Sequence, residues 1–247
     1  MVGLGTLINM AAILVGTTAG VLVGHRMPER MRDIVTTALG LTIFVIAAAN
    51  IISFTSPALA ADVGGSAPLL IVLGALIIGG IIGSGLHLER RLENLGGWFQ
   101  GKFSTKTGEE GRARFVEGFV DATLLFCIGP LAILGALSDG LGTGIDQLVL
   151  KSALDGFAAL AFAASLGWGV ALSALSVGVV QGIFTLAGVL AGQVLPASYI
   201  DAVTATGGVL LLGVGFRLLK IKAIPVADLL PALLVAPFLV WVVSWLI

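Results

Sequence analysis

Lys151 and Asp155 stand four residues apart in the stretch Lys151-Ser-Ala-Leu-Asp155-Gly156, inside an otherwise apolar run. On a helix this spacing puts an ammonium and a carboxylate on one face, where they can pair. If their helix begins near residue 146, Asp155 lies about 14 Å along it at 1.5 Å per residue. In a membrane that is near the middle of a hydrocarbon core about 30 Å thick. An ionisable group at such depth is costly and by default marks a site. The competing reading is a structural ion pair with Lys151 snorkelling outward. The two are compatible, because a pair can break when a solute or a proton arrives.

Gln181 falls near the centre of a second apolar run, where an uncharged amide needs a partner. A third run is interrupted by Cys127-Ile-Gly-Pro130. Pro130 removes a backbone donor and frees a carbonyl, and at membrane depth such a break is tolerated where it is buried in protein or lines a cavity. The competing account is a simple kink. Lys151, Asp155, Gln181, Cys127 and Pro130 are therefore the residues expected to bind a solute or ion. Glu117 and Asp121, one turn apart near the start of the third run, extend Asp155 into a proton or cation relay, or are solvated acids at a helix start. Asn9 and Asn50, near the outer ends of their spans, rank lower.

No catalytic constellation is visible, and neither a cofactor nor a metal is expected. His25 and His87 sit at expected span boundaries with no HExxH-like spacing. Cys127 is the single cysteine, which leaves no internal disulfide and no cysteine-based metal site. Gly79-Gly80-Ile-Ile-Gly83-Ser-Gly85 lies within a span, so helix packing explains it better than phosphate binding.

The elements that hold these residues follow from composition. The chain of 247 residues is 57% apolar and 11% charged, against about 25% charged in an ordinary soluble domain. So few charges cannot cover a water-exposed surface. Runs of about 20 apolar residues, the length a spanning helix needs, fall at 3–24, 34–54, 67–87, 115–136, 147–166, 168–195, 202–219 and 226–247. The expectation is an all-α bundle of about eight spanning helices. The boundary at Ser165-Leu-Gly-Trp168-Gly is the least marked, and its two neighbours can be read as one bent hairpin. Ser56-Pro-Ala-Leu-Ala60-Ala-Asp resembles a signal-peptidase site, but a full apolar span precedes the arginines before it, so it reads as a polar outer loop.

Positive charge sets the expected orientation. Arg26, Arg30 and Arg32 follow the first span, a cluster from Arg90 to Arg114 including Lys102 and Lys106 follows the third, and Arg217, Lys220 and Lys222 follow the seventh. Loops 55–66, 137–146 and 196–201 hold no Lys or Arg. Both termini are expected outside the cytoplasm. Trp168, Trp241 and Trp245 fall at expected interfaces. Leu88, Leu92, Leu95 and Phe99, with charges between them, predict an amphipathic helix on the inner surface. The net charge of −1 gives no reason to expect nucleic acid. The bilayer is the expected partner, and a homo-oligomer is left open.

A shift of 168 positions aligns Gly20-Val-Leu-Val-Gly24-His-Arg-Met-Pro28 with Gly188-Val-Leu-Ala-Gly192-Gln-Val-Leu-Pro196, and continues through Asp33/Asp201, Val35/Val203, Thr36/Thr204 and Gly40/Gly208. Nine of 22 positions are identical. The first copy of the turn carries three arginines and the second none, with an odd number of spans between them, so the copies are expected to be inverted. The expected organisation is repeat one over 1–87, a cytoplasmic connector over 88–114, intervening helices over 115–166 and repeat two over 168–247. Inverted repeats are common in transporters, with sites near the midplane, although fold-level analogy does not fix function.

The stretches Leu124-Leu-Phe-Cys127-Ile-Gly-Pro130-Leu-Ala-Ile-Leu-Gly135, Lys151-Ser-Ala-Leu-Asp155-Gly156 and Gly167-Trp-Gly-Val-Ala-Leu-Ser173-Ala resemble the YqgA/YdfK family of bacterial inner-membrane proteins. The resemblance implies a polytopic membrane protein over nearly the whole chain and supplies no functional residues. The expected function is transport of a small ion or polar solute by carrier or channel. The alternative is a scaffold or assembly factor that docks through 88–114.

Overall fold

The computed structural model describes residues 2–103, 109–191 and 196–246, and every regular element among them is helical. Lys106, Ile247 and residues 192–195, the turn of the second repeat copy, lie outside the described residues. The helices are α1 (Leu4–Gly24), α2 (Glu29–Ile51), α3 (Pro57–Val63), α4 (Ala67–Leu86), α5 (Leu88–Phe103), α6 (Glu109–Cys127), α7 (Pro130–Leu141), α8 (Asp146–Leu166), α9 (Ser173–Ala191), α10 (Ala197–Leu218) and α11 (Ala232–Leu246). Six segments are long and apolar enough to cross a membrane, and seven if α6 and α7, bent by 61° at Cys127–Pro130, count as one broken span. Leu22, Val45, Ile81, Phe157 and Leu190 lie exposed along these helices, as lipid-facing side chains do in a helical membrane bundle.

By compactness the chain forms two units, and the cut runs through α2 after Gly40 and through α5 after Arg91. The first unit is residues 1–40, 92–127 and 131–194. Its spine is α1 against α8, which run parallel: Gly16 meets Gly156, Gly20 meets Leu160, and Gly24 meets Ala164. A methyl group on Gly16 would come within 2.1 Å of the Gly156 carbonyl oxygen, so only glycine permits this approach. Gly167, at φ 80°, ends α8, and a 3-10 turn over Gly167–Leu172 leads into α9. α9 then runs back along α1. Gly178 lies against Met10, while Thr185 and Gly188 lie against Gly140, next to the Asp139 carboxylate that holds the start of α1. The 45-residue apolar segment Asp146–Leu190 is therefore folded on itself, at the boundary least marked in the sequence.

The second unit is residues 41–91, 128–130 and 195–247. Here α2 and α10 run antiparallel, with Gly208 against Ala47 and Ile51 and Gly215 against Phe44, whose ring also meets Phe216 edge-on at 5.2 Å. α4 runs antiparallel to the segment that opens α11: Gly79 meets Ala232 and Gly83 meets Asp228. The stretch expected as a polar outer loop is instead largely helical. Pro57 at the first turn starts α3, and α3 buries Leu59 and Val63 against Ala202, Ala232 and Ala236. Two apolar residues one turn apart gave that loop a face to bury, which its Ser, Pro and Asp obscured. Glu89 of α5 pairs with Arg217 and accepts from the Ala227 amide at 2.8 Å, while the Glu89 amide donates to Asp228 at 2.9 Å.

The expected helix is present as α5. Gly96, Gly97 and Gln100 are buried, whereas Leu95 and Trp98 are exposed. Gly96 lies against the Phe119 ring of α6 and Gly97 against the Arg112 guanidinium. The two units also group the chain by packing and do not follow the expected repeat boundaries.

Candidate functional site

The glycine contact between α1 and α8 decides the chemistry of the first unit. With the two backbones touching, a short side chain on α1 can reach a short one on α8. Asn9 Nδ2 donates to Asp155 Oδ2 at 3.0 Å, and the Lys151 ammonium pairs with the same oxygen. Asn9 is fully buried, and Lys151 and Asp155 are 6% and 7% exposed. The i, i+4 pair expected from spacing is thus present, with a third member from another helix. Asn9 had ranked low because it lies near a helix end. Nothing in its local sequence showed that α8 would cross it, although Gly16, Gly20 and Gly24 at intervals of four mark the face on which a close neighbour fits.

Cys127, the last residue of α6, lies within electrostatic reach of both Lys151 and Asp155. α6 runs parallel to the 3-10 turn and α9, with Phe115 against Gly169 and Thr123 Oγ1 bonded to Ser176 Oγ at 3.2 Å. Gln181 lies on α9. Gln181 is 1% exposed, and neither its amide oxygen nor its nitrogen has a hydrogen-bond partner. The carbonyl oxygen of Asn9 also has none. Buried polar atoms are almost always satisfied in folded proteins, by protein or by ordered water, so these atoms call for a partner.

The other expected residues are Pro130, Asp121 and Glu117. Pro130 opens α7, and residues 128–130 belong to the second unit, where Ile128 lies beside Gly207. Asp121 is fully buried but sits six residues before Cys127, about 9 Å along α6. Glu117 is half-buried, another turn further away. The two acids thus follow one another along α6.

Sequence reasoning gave no role to Asp139, which is 2% exposed on α7. Its two carboxylate oxygens accept from the Gly3 and Gly5 amides, each at 3.0 Å. A carboxylate is favoured at a helix N-terminus, where unpaired amides and the helix dipole both present positive charge. Asp139 also lines a cavity of about 240 Å³ with Val2, Leu4, Gly142, Gly144 and Ile145, directly before α8 begins. Among the described residues, no group of three or more His, Cys, Asp or Glu side chains could hold a metal.

A family model described as a protein of unknown function, DUF554, matches residues 4–241. The chain belongs to this family. It is 30% identical over 239 residues to the protein YqgA of Escherichia coli (strain K12), described as uncharacterized, covering 94% of each chain. It is also 30% identical over 239 residues to YdfK of Bacillus subtilis (strain 168), described as an uncharacterized membrane protein, covering 97% of this chain and 96% of that one. These matches bear out the resemblance seen in the sequence. No solved structure matches.

Proposed function

We propose that this family member is a transport protein of the bacterial inner membrane that moves a small ion or polar solute through the unit holding Asn9, Lys151 and Asp155. The observation that carries the reading is a buried Lys–Asp–Asn group between two helices long and apolar enough to cross a bilayer. Ionised groups at such places are expensive, and transport is a common reason to keep them. The protein is read as non-enzymatic.

The inverted repeat belongs to the same proposal. It supposes eight passes, with α8 and α9 counted separately and α6–α7 counted as one broken span. Three pairs of helices that the repeat makes equivalent, α1/α9, α2/α10 and α4/α11, pack antiparallel. The shift of 168 also carries Glu29, the first residue of α2, onto Ala197, the first of α10. Both features are what inverted copies would give. Both termini are read as outside the cytoplasm, from positive charge alone.

The test is flux. Purified protein in liposomes is expected to pass at least one of a panel of cations, anions and amino acids down an imposed gradient, and Asp155→Asn to slow it at least tenfold. Absence of flux across the panel overturns the reading.

One observation favours a second reading, the scaffold. Leu95 and Trp98 of α5 are 46% and 59% exposed, with Lys102 Nζ 5.2 Å from the centre of the Trp98 ring. Leu95→Ser with Trp98→Ser would then remove the cellular phenotype while leaving Asp155 irrelevant to it.

A further inference from the structure

The partners of Asn9, Lys151 and Asp155 are unevenly spent. Both hydrogen bonds that reach Asp155 land on Oδ2, and Oδ1 accepts none among the described residues. Asn9 uses its nitrogen on Asp155 while its oxygen is buried without a partner. Within these three side chains each donor atom, Asn9 Nδ2 and Lys151 Nζ, already has an acceptor, whereas two oxygens have no donor. The free atoms of the group are thus oxygens, which suit a cation.

One cation is already present, the Lys151 ammonium. A second positive charge cannot simply be added. Two buried cations would share one carboxylate, and an ammonium without its partner in a site of low dielectric is strongly unfavourable.

We infer that the site takes a small monovalent cation, which displaces Lys151 from Asp155 and sends one proton off the Lys151 ammonium. In this step an Nζ–H bond of Lys151 breaks, the nitrogen keeps the electron pair, and the proton leaves to water. The carboxylate of Asp155 stays ionised and exchanges an ammonium for the bound cation. Net charge in the site is unchanged, which is why a monovalent ion fits and a divalent one would leave an uncompensated charge. The ligands are Asp155 Oδ1 and Asn9 Oδ1. The helices packed on α8 offer few competing charges. α1 and α9 carry no ionisable side chain. α6 contributes Cys127, within electrostatic reach, and Asp121 six residues before it, and Asp139 of α7 is held by Gly3 and Gly5. Asp146, on α8 itself, lies at the start of that helix.

This inference rests on the transport reading and narrows it to exchange of a cation for a proton. The full-length protein in detergent, in weak buffer with a pH indicator, is titrated with lithium, sodium and potassium chloride, and with N-methylglucamine chloride as a control. At least one alkali cation is expected to release one proton per chain, and the control none. Asp155→Asn should abolish release. Lys151→Met should still bind the cation, seen as salt-dependent thermal stabilisation, but release no proton. Asn9→Leu should raise the salt concentration at half-effect at least tenfold; if Asp155→Asn does not fold, this variant and Lys151→Met carry the test. In liposomes an imposed gradient of the same salt should drive an opposite movement of protons. Equal release with N-methylglucamine, or release that survives Lys151→Met, overturns the exchange. No proton release beside Asp155-dependent flux of an anion or neutral solute overturns the exchange and leaves transport standing. No release and no flux of any solute overturns both.

Discussion

Asn9 and Asp155 are 146 residues apart in the chain and joined by one buried hydrogen bond of 3.0 Å. The bond links a neutral amide to a carboxylate that also carries an ammonium, so each member restrains the other two. Asn9→Leu removes the amide and leaves part of the carboxylate unsatisfied. The expected loss is about 1–3 kcal/mol, the usual cost of stranding a buried polar partner. Thermal unfolding in detergent checks this, and a variant as stable as the parent would show that the bond contributes nothing to the fold.

The Lys151–Asp155 pair should respond differently to single and double replacement. Asp155→Leu alone strands a buried ammonium and should cost about 3–5 kcal/mol, whereas Lys151→Met with Asp155→Leu should recover most of that loss. The double variant is expected to fold and to show no flux. Normal transport by it would restrict the pair to a structural role.

The α1–α8 contact predicts a sharp contrast between two glycines. Gly16→Val places a branched side chain where even a methyl group would sit 2.1 Å from the Gly156 oxygen, and it should prevent α1 from docking. Gly182→Ala on α9 meets nothing within 4 Å and should gain about 0.5–1 kcal/mol from helix propensity. Yield of monodisperse protein and melting temperature distinguish the two. Similar behaviour of both variants would mean that the backbone contact is not what holds α1 in place.

Orientation is tested by single cysteines at Glu29 and Ala197 in a Cys127→Ser background. Glu29 and Ala197 each begin a helix directly after a proline, at corresponding positions of the two repeat copies. Inverted copies require that a membrane-impermeant thiol reagent reach them from opposite sides. Labelling of both from one side would remove the inversion.

Helical class and approximate spans were legible because membrane helices announce themselves by length and apolarity. The Lys151–Asp155 pair was legible because i, i+4 neighbours are fixed by the helix itself. Which helix would complete the pair was not. In α1 the lipid-facing Leu7, Leu14 and Leu22 and the buried Ile13 and Val21 are equally apolar, so hydropathy cannot separate the packed side from the lipid side. Only the glycines carry that information, as permission for a close neighbour and not as its identity. Asp139 was missed for a related reason: its partners are backbone amides, which every residue possesses and no motif records. Pro130 was a fair marker of the break, but the break sorts with the other packing unit, and one-dimensional depth cannot show that.

The carboxylate grip on Gly3 and Gly5 bears on how the protein is made. α1 leaves the ribosome long before Asp139 exists, and α8, its main packing surface, is later still. During that interval α1 must sit in the bilayer with its leading amides satisfied only by water or lipid headgroups. Its tertiary contacts are therefore acquired after insertion, when more than half of the chain has been synthesised. A helix made well before its partners thus finds its place only after they arrive.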